Sequence, residues 1–126
     1  MSTPNLPKPT AAELEMLRLL FALGPATARQ VHEAALETRP EMNYATVLRV
    51  LQVMHNKGLL KRDESQRAHI YSPVQEQDSV QTNLLKDLIQ KAFAGSGKAL
   101  VLAALRGGHV SKKERAEIQA LLDQDQ

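Results

Sequence analysis

A mainly α-helical fold with one small β-hairpin is predicted by three features of the sequence. Apolar residues make up 43% of the 126 residues and charged residues 24%, the balance of a chain with a core to bury. Aromatics are only 3%, with no Trp, so that core is built from Leu, Val, Ile and Ala, the usual material of packed helices. Helical apolar spacing runs through most of the chain and is interrupted between Leu59 and Ser72 by two short apolar runs flanking a polar turn.

The elements follow in order. Thr10-Ala11-Ala12-Glu13 is a capping box, in which hydroxyl and carboxylate satisfy the first free amides of a helix. Leu14, Leu17, Leu20 and Phe21 then recur at helical spacing until Gly24-Pro25 stops the run. Thr27 caps a second helix to about Leu36, with Val31, Ala35 and Leu36 inward, and Arg39-Pro40 ends it. Asn43 is an N-cap for a third helix whose Val47, Val50, Leu51 and Met54 share one face. Gly58 closes it, at a position that favours left-handed backbone. Leu59 to Arg62 and Ala68 to Ser72 then form the hairpin, around the turn Asp63 to Arg67.

After Pro73 the spacing is helical again, through Val80, Leu84, Leu85, Leu88 and Ile89 to a break at Gly95-Ser96-Gly97. A short apolar helix from Lys98 to Leu105 ends at Gly107-Gly108, and the capping box Ser111 to Glu114 opens a last helix with Ile118, Leu121 and Leu122 inward. These three short helices carry more apolar stripe than a tail packed alone could bury. The expected organisation is therefore a first domain over residues 1–73 and a helical dimerisation region over 74–126, with Leu84, Leu88, Leu100, Leu102, Ile118, Leu121 and Leu122 as its contact residues.

Three helices and a hairpin are the layout of a winged helix-turn-helix domain, whose third helix enters the DNA major groove while the hairpin follows the backbone. The outward face of the third helix offers Ala45, Thr46, Leu48, Arg49, Gln52, Val53, His55 and Asn56, with no acid to repel phosphate. Arg49 suits a bidentate pair with guanine and Gln52 one with adenine, while Leu48 or Val53 suits a thymine methyl. Thr27 is placed to bring a phosphate to a helix N-terminus. In the hairpin, Arg62, Arg67 and His69 are the candidates for backbone contacts. Asn43 and Tyr44 begin the reading helix, Tyr44 as a packing residue with its hydroxyl outward.

Net charge is only +2, so its distribution matters more. Residues 1–73 carry nine Lys/Arg against seven Asp/Glu, and residues 74–126 seven against seven. Between Asn43 and Arg62 lie Arg49, Lys57, Lys61 and Arg62 without one carboxylate, which reads as a basic stripe.

The sequence also resembles the penicillinase-repressor, or BlaI/MecI/CopY, family of bacterial transcriptional repressors. The resemblance rests on Pro9 to Leu17, on Asn43 to Leu51, on Lys57-Gly58-Leu59-Leu60, on the wing Arg67 to Tyr71 and on Leu100-Val101-Leu102. It implies a homodimer that binds an inverted-repeat operator in double-stranded DNA and represses genes for β-lactam resistance, copper handling or other stress responses. By position, Thr46 and Arg49 match base-facing residues, whereas Ala45, Leu48 and Val53 stand where relatives often carry Lys or Arg. The β-lactam branch is inactivated by a cut after its Leu-Val-Leu segment, through a membrane sensor-protease system. The matching positions are Ala103 and Ala104, which lack the Asn-Phe signature of that cut. The copper branch ends in paired cysteines, and this chain has none.

Other classes are excluded or disfavoured by composition. The absence of Cys removes disulfides, thiolate metal sites and thiol nucleophiles, and the four His are scattered. No metal or cofactor is expected. Gly95-Ser96-Gly97-Lys98 is not a phosphate-binding loop, because that motif requires Gly at 92 and Ser/Thr at 99, where Ala92 and Ala99 stand. His32-Glu33 is not a zinc-protease motif, because position 36 is Leu36. The opening MSTPNLPKPT has three prolines and no apolar run, so neither an export signal nor direct membrane association is expected, and the expected location is the cytoplasm. The alternative to a repressor is a winged-helix module used only for protein contacts, and behind it an uncharacterised small enzyme.

Overall fold

In the computed structural model, which describes residues 8–124, the capping box at Thr10 is closed in both directions. The Glu13 amide donates to the Thr10 hydroxyl at 3.2 Å and the Thr10 amide to Glu13 Oε1 at 2.9 Å. Helix α1 (Ala11–Leu23) starts there and stops at Gly24, whose φ of 80° favours glycine. Residues 1–7, part of the opening segment read for an export signal, lie outside the described residues.

Thr27 repeats the device at the start of α2 (Ala28–Leu36), with Gln30 as reciprocal partner. Ala26 and Thr27 also form a two-residue strand, β1, which pairs antiparallel with β3 (Ile70–Pro73) through Ala26↔Tyr71 and Thr27↔Ile70. On its other side β3 pairs with β2 (Leu60–Asp63), Arg62 facing Tyr71. The expected hairpin is thus two strands of a three-stranded sheet ordered β1-β3-β2. A two-residue strand has no room for the alternation that marks longer ones, so β1 left no signal in the sequence.

Helix α3 (Tyr44–Asn56) begins at Asn43, whose side-chain oxygen accepts from the Thr46 amide at 2.8 Å. It ends in a Schellman arrangement, with the Gly58 amide on the His55 carbonyl, the Leu59 amide on that of Met54, and Gly58 at φ 84°. The core is one cluster: Met16, Leu17 and Leu20 of α1, Ala28, Val31 and Ala35 of α2, Val47, Leu51 and Met54 of α3, with Ala26, Leu59, Leu60 and Tyr71 from the sheet and its approach. Expected core positions Leu14, Phe21, Leu36 and Val50 are only half-buried, while Met16 is fully buried.

Contacts divide the chain into two compact units between Ser79 and Val80. The second contains most of α4 (Gln77–Ala92), then α5 (Gly97–Arg106), capped by Ser96, and α6 (Lys112–Gln124), opened by the reciprocal Ser111–Glu114 box. No described residue of these three helices is buried. No single helix among the described residues is long and apolar enough to cross a membrane.

Candidate nucleic-acid interface

Helix α3 is two-sided because its apolar residues recur at i, i+4 and i+7. Val47, Leu51 and Met54 are 0% exposed, and burial of that stripe holds Arg49 and Gln52 outward, where both are exposed. No carboxylate pairs with Arg49 among the described residues. Val53 is exposed beside them, and Thr46 and Leu48 are half-buried.

The start of the helix is fixed from outside. His32 Nε2 lies 2.8 Å from the Met42 carbonyl, and its ring meets Tyr44 edge-on at 6.0 Å between centroids. In the tautomer with the proton on Nε2 this is a hydrogen bond from α2 to the residue preceding the Asn43 cap. Tyr44 itself is exposed, as is Asn43. Arg39 reaches back to Glu15 at 2.7 Å and ties the α2–α3 connection to α1.

At the other end of α3 the expected basic stripe is revised. Lys57 Nζ donates to both oxygens of Glu13, at 2.8 and 2.9 Å, and Glu13 is buried. Burial pushes the Glu13 carboxyl up, but Lys57 and the Thr10 amide outweigh it and hold it below the usual 4.5. Lys57 is therefore a structural tie between α1 and α3 rather than a free cation.

Arg62 is also paired: its Nε–H donates to Glu64 Oε2 at 2.6 Å, and Nη2 lies 2.6 Å from the same oxygen as an ion pair. The bond and charge of Arg62 lower the Glu64 pKa, and Glu64 first, then Tyr71, raise that of Arg62. Asp63 accepts from the Ser65 amide at 2.9 Å, which shapes the turn, and the Ser65 hydroxyl first, then that amide, hold its pKa below the usual value. Two of the four stripe cations are thus neutralised by acids outside the segment. Arg49 and Lys61 stay exposed, and so do Arg67 and His69 in the wing.

Two further positions depart from expectation. His55, placed outward by its spacing, is half-buried with Nδ1 unpartnered. The Thr27 hydroxyl already accepts from the Gln30 amide, and the Thr27 amide is taken by the Gln30 side chain, so two groups at that helix start are engaged. The pattern Thr-x-x-Gln was the available signal for this box.

The contact residues expected in the tail are all accessible: Leu84, Leu100 and Leu102 are half-buried, and Leu88, Ile118, Leu121 and Leu122 are exposed. Ala103 and Ala104 lie inside α5. No group of three or more metal-ligating side chains occurs among the described residues.

Comparison with known proteins matches residues 9–124 to the family described as penicillinase repressor. The chain is 40% identical over 79 residues to a protein of Mycobacterium tuberculosis named transcriptional regulator BlaI, covering 62% of this chain and 56%, little more than half, of that relative. It is 20% identical over 112 residues to the penicillinase repressor of Staphylococcus aureus, covering 89% of this chain and 88% of that protein. With the family match extending from the first capping box to the end of α6, the chain belongs to the penicillinase-repressor (BlaI/MecI/CopY) family of transcriptional repressors, which are not enzymes.

Proposed function

We infer that this repressor binds DNA as a homodimer in the cytoplasm, laying α3 of each protomer in the major groove of an inverted-repeat operator that controls a β-lactam- or stress-response operon. The observation that supports this best is the division of α3 into a fully buried apolar stripe and an exposed face carrying Arg49 and Gln52 without an acid. Arg49 reads guanine and Gln52 adenine. Thr46 serves base or phosphate, while Asn43, Tyr44 and Thr27 border the backbone at the two helix starts. Arg67 and His69 follow the phosphates from the wing, with Arg62 beside them.

Dimerisation through the tail rests on its exposed apolar side chains, Leu88, Ile118, Leu121 and Leu122. Release by a membrane sensor-protease system belongs to the same reading through the Ala103–Ala104 bond. Because α5 encloses that bond, a protease requires local opening of the helix.

Binding to the region upstream of the chain's own operon, titrated at several salt concentrations, tests the reading, since phosphate contacts make affinity fall steeply with salt. Arg49→Ala is expected to cost roughly 1–3 kcal/mol per half-site on the operator and much less on random DNA. Arg67→Ala is expected to weaken both alike and to reduce the salt dependence by about one charge per subunit. Equal loss on both DNAs for Arg49→Ala would remove α3 as the reading element. The exposed apolar side chain of Val53 suits a protein-contact module instead, and absence of salt-dependent DNA binding would favour that second reading.

A further inference from the structure

The wing places an acid on one of its own cations. Arg62 sits on β2, its backbone fixed in register opposite Tyr71. Glu64 follows in the turn, and the Asp63–Ser65 hydrogen bond holds the chain that carries it. The Nε hydrogen bond and the Nη2 ion-pair contact converge on one carboxylate oxygen, Oε2, each at 2.6 Å. The Glu64 side chain is 52% exposed and that of Arg62 22%, so solvent and ligands reach the pair.

We propose that Glu64 is an internal competitor for DNA phosphate: its carboxylate occupies the Nε–Nη2 edge of the Arg62 guanidinium, and a backbone phosphate must displace it before using that edge of this wing cation. The proposal rests on the DNA-binding reading above and adds a residue that restrains affinity for DNA of any sequence.

The chemistry of the exchange is balanced. A guanidinium binds carboxylate and phosphate through the same fork of N–H donors, so one anion replaces the other without a change of protonation. Exposed ion pairs are weak, so the exchange is accessible on contact with DNA. The buried Glu13–Lys57 pair differs, because Glu13 is withdrawn from the surface and bonded at both oxygens. Arg67, across the same turn, has no carboxylate partner among the described residues and is available from the start. The wing therefore carries Lys61 and Arg67 as ready cations and Arg62 as one held in reserve.

A double-mutant cycle on the full chain decides it, with wild type, Glu64→Gln, Arg62→Gln and the double variant titrated against a random-sequence duplex by fluorescence anisotropy at low and moderate salt. Glu64→Gln is expected to bind roughly three- to tenfold tighter, with the gain disappearing in the Arg62→Gln background. Circular dichroism checks that all four fold alike. A gain that persists without Arg62 means simple repulsion between Glu64 and DNA and overturns the proposal. Salt-dependent binding with no gain for Glu64→Gln also overturns it, leaving the DNA-binding reading intact. If none of the four binds the duplex, both fall together.

Discussion

The two units of the chain have the same kind of apolar spacing and opposite degrees of burial. In the first, Leu20, Val31, Val47, Leu51 and Met54 are 0% exposed, and three helices and a sheet close one core around them. In the second, Leu88, Val101, Leu121 and Leu122 are each half exposed or nearly so, and no described residue of α4, α5 or α6 is buried. Removing a Leu side chain fully from water is worth about 1.5–3 kcal/mol, so the first unit collects a stabilisation that the second leaves uncollected within one chain. Apolar periodicity states that a helix face must be covered. It does not say from which chain the cover comes.

The strongest way to break this comparison is to separate the units. A chain ending at Ser79 is expected to fold, to sediment as a monomer and to bind operator DNA about 100-fold or more weaker than the full chain, because linked half-sites gain from effective concentration. If the full-length chain itself sediments as a monomer at micromolar concentration, the tail is not a dimer module.

Point substitutions in the two stripes sharpen the contrast. Leu51→Ala is expected to cost about 2–5 kcal/mol in denaturant unfolding, as for other fully buried leucines. Leu121→Ala, at a position 64% exposed, is expected to leave the unfolding midpoint of dilute protein nearly unchanged and to weaken self-association measured by sedimentation. Comparable losses at both positions would mean that the tail is packed within the monomer.

A smaller effect belongs to the tie between α1 and α3. Lys57→Met leaves the buried Glu13 carboxylate without its cation and is expected to cost about 1–3 kcal/mol, below the range for fully buried pairs because Lys57 is partly exposed. Acid acts on the same bond. Since the Glu13 pKa is held below its usual 4.5 in the folded state, its contribution is complete above that value and is lost as pH falls below it, through the lowered pKa. Unfolding followed by circular dichroism from neutral to acid pH is expected to show a shallower acid loss in Lys57→Met than in wild type.

The smallest effect lies in the tail backbone. Ala94 has φ 51°, between α4 and Gly95, itself at 85°. A left-handed alanine is strained, and Ala94→Gly is expected to stabilise the α4–α5 corner by about 0.5–1 kcal/mol, part of the relief being offset by the greater freedom of glycine in the unfolded chain. The measurement is amide hydrogen exchange in α4 and α5, with exchange in the first unit unchanged.

Local features were legible without the fold. The Thr10 and Ser111 boxes, the Asn43 cap, the Gly58 terminator and the buried stripe of α3, apart from half-buried Val50, appear where their residues predict them. The exposed face of α3, with Arg49 and Gln52, follows from that stripe, and so the centre of the candidate site was readable as well. Its electrostatics were not. The segment from Asn43 to Arg62 has no acid of its own, yet Glu13, 44 positions from Lys57 in sequence, and Glu64 beyond the segment's end take two of its cations. Strand β1 was hidden for a related reason, since its pairing joins Ala26 to Tyr71.

What the sequence by itself determined is the set of helices, most of their ends and, in the first unit, the side each turns to the core, because caps and 3.6-residue periodicity act over a few neighbouring positions. What only the tertiary structure decided is which charges stay free to meet a ligand and how the sheet is completed. Those outcomes depend on residues far apart in the chain being brought within hydrogen-bond reach, and burial of the common core sets that distance.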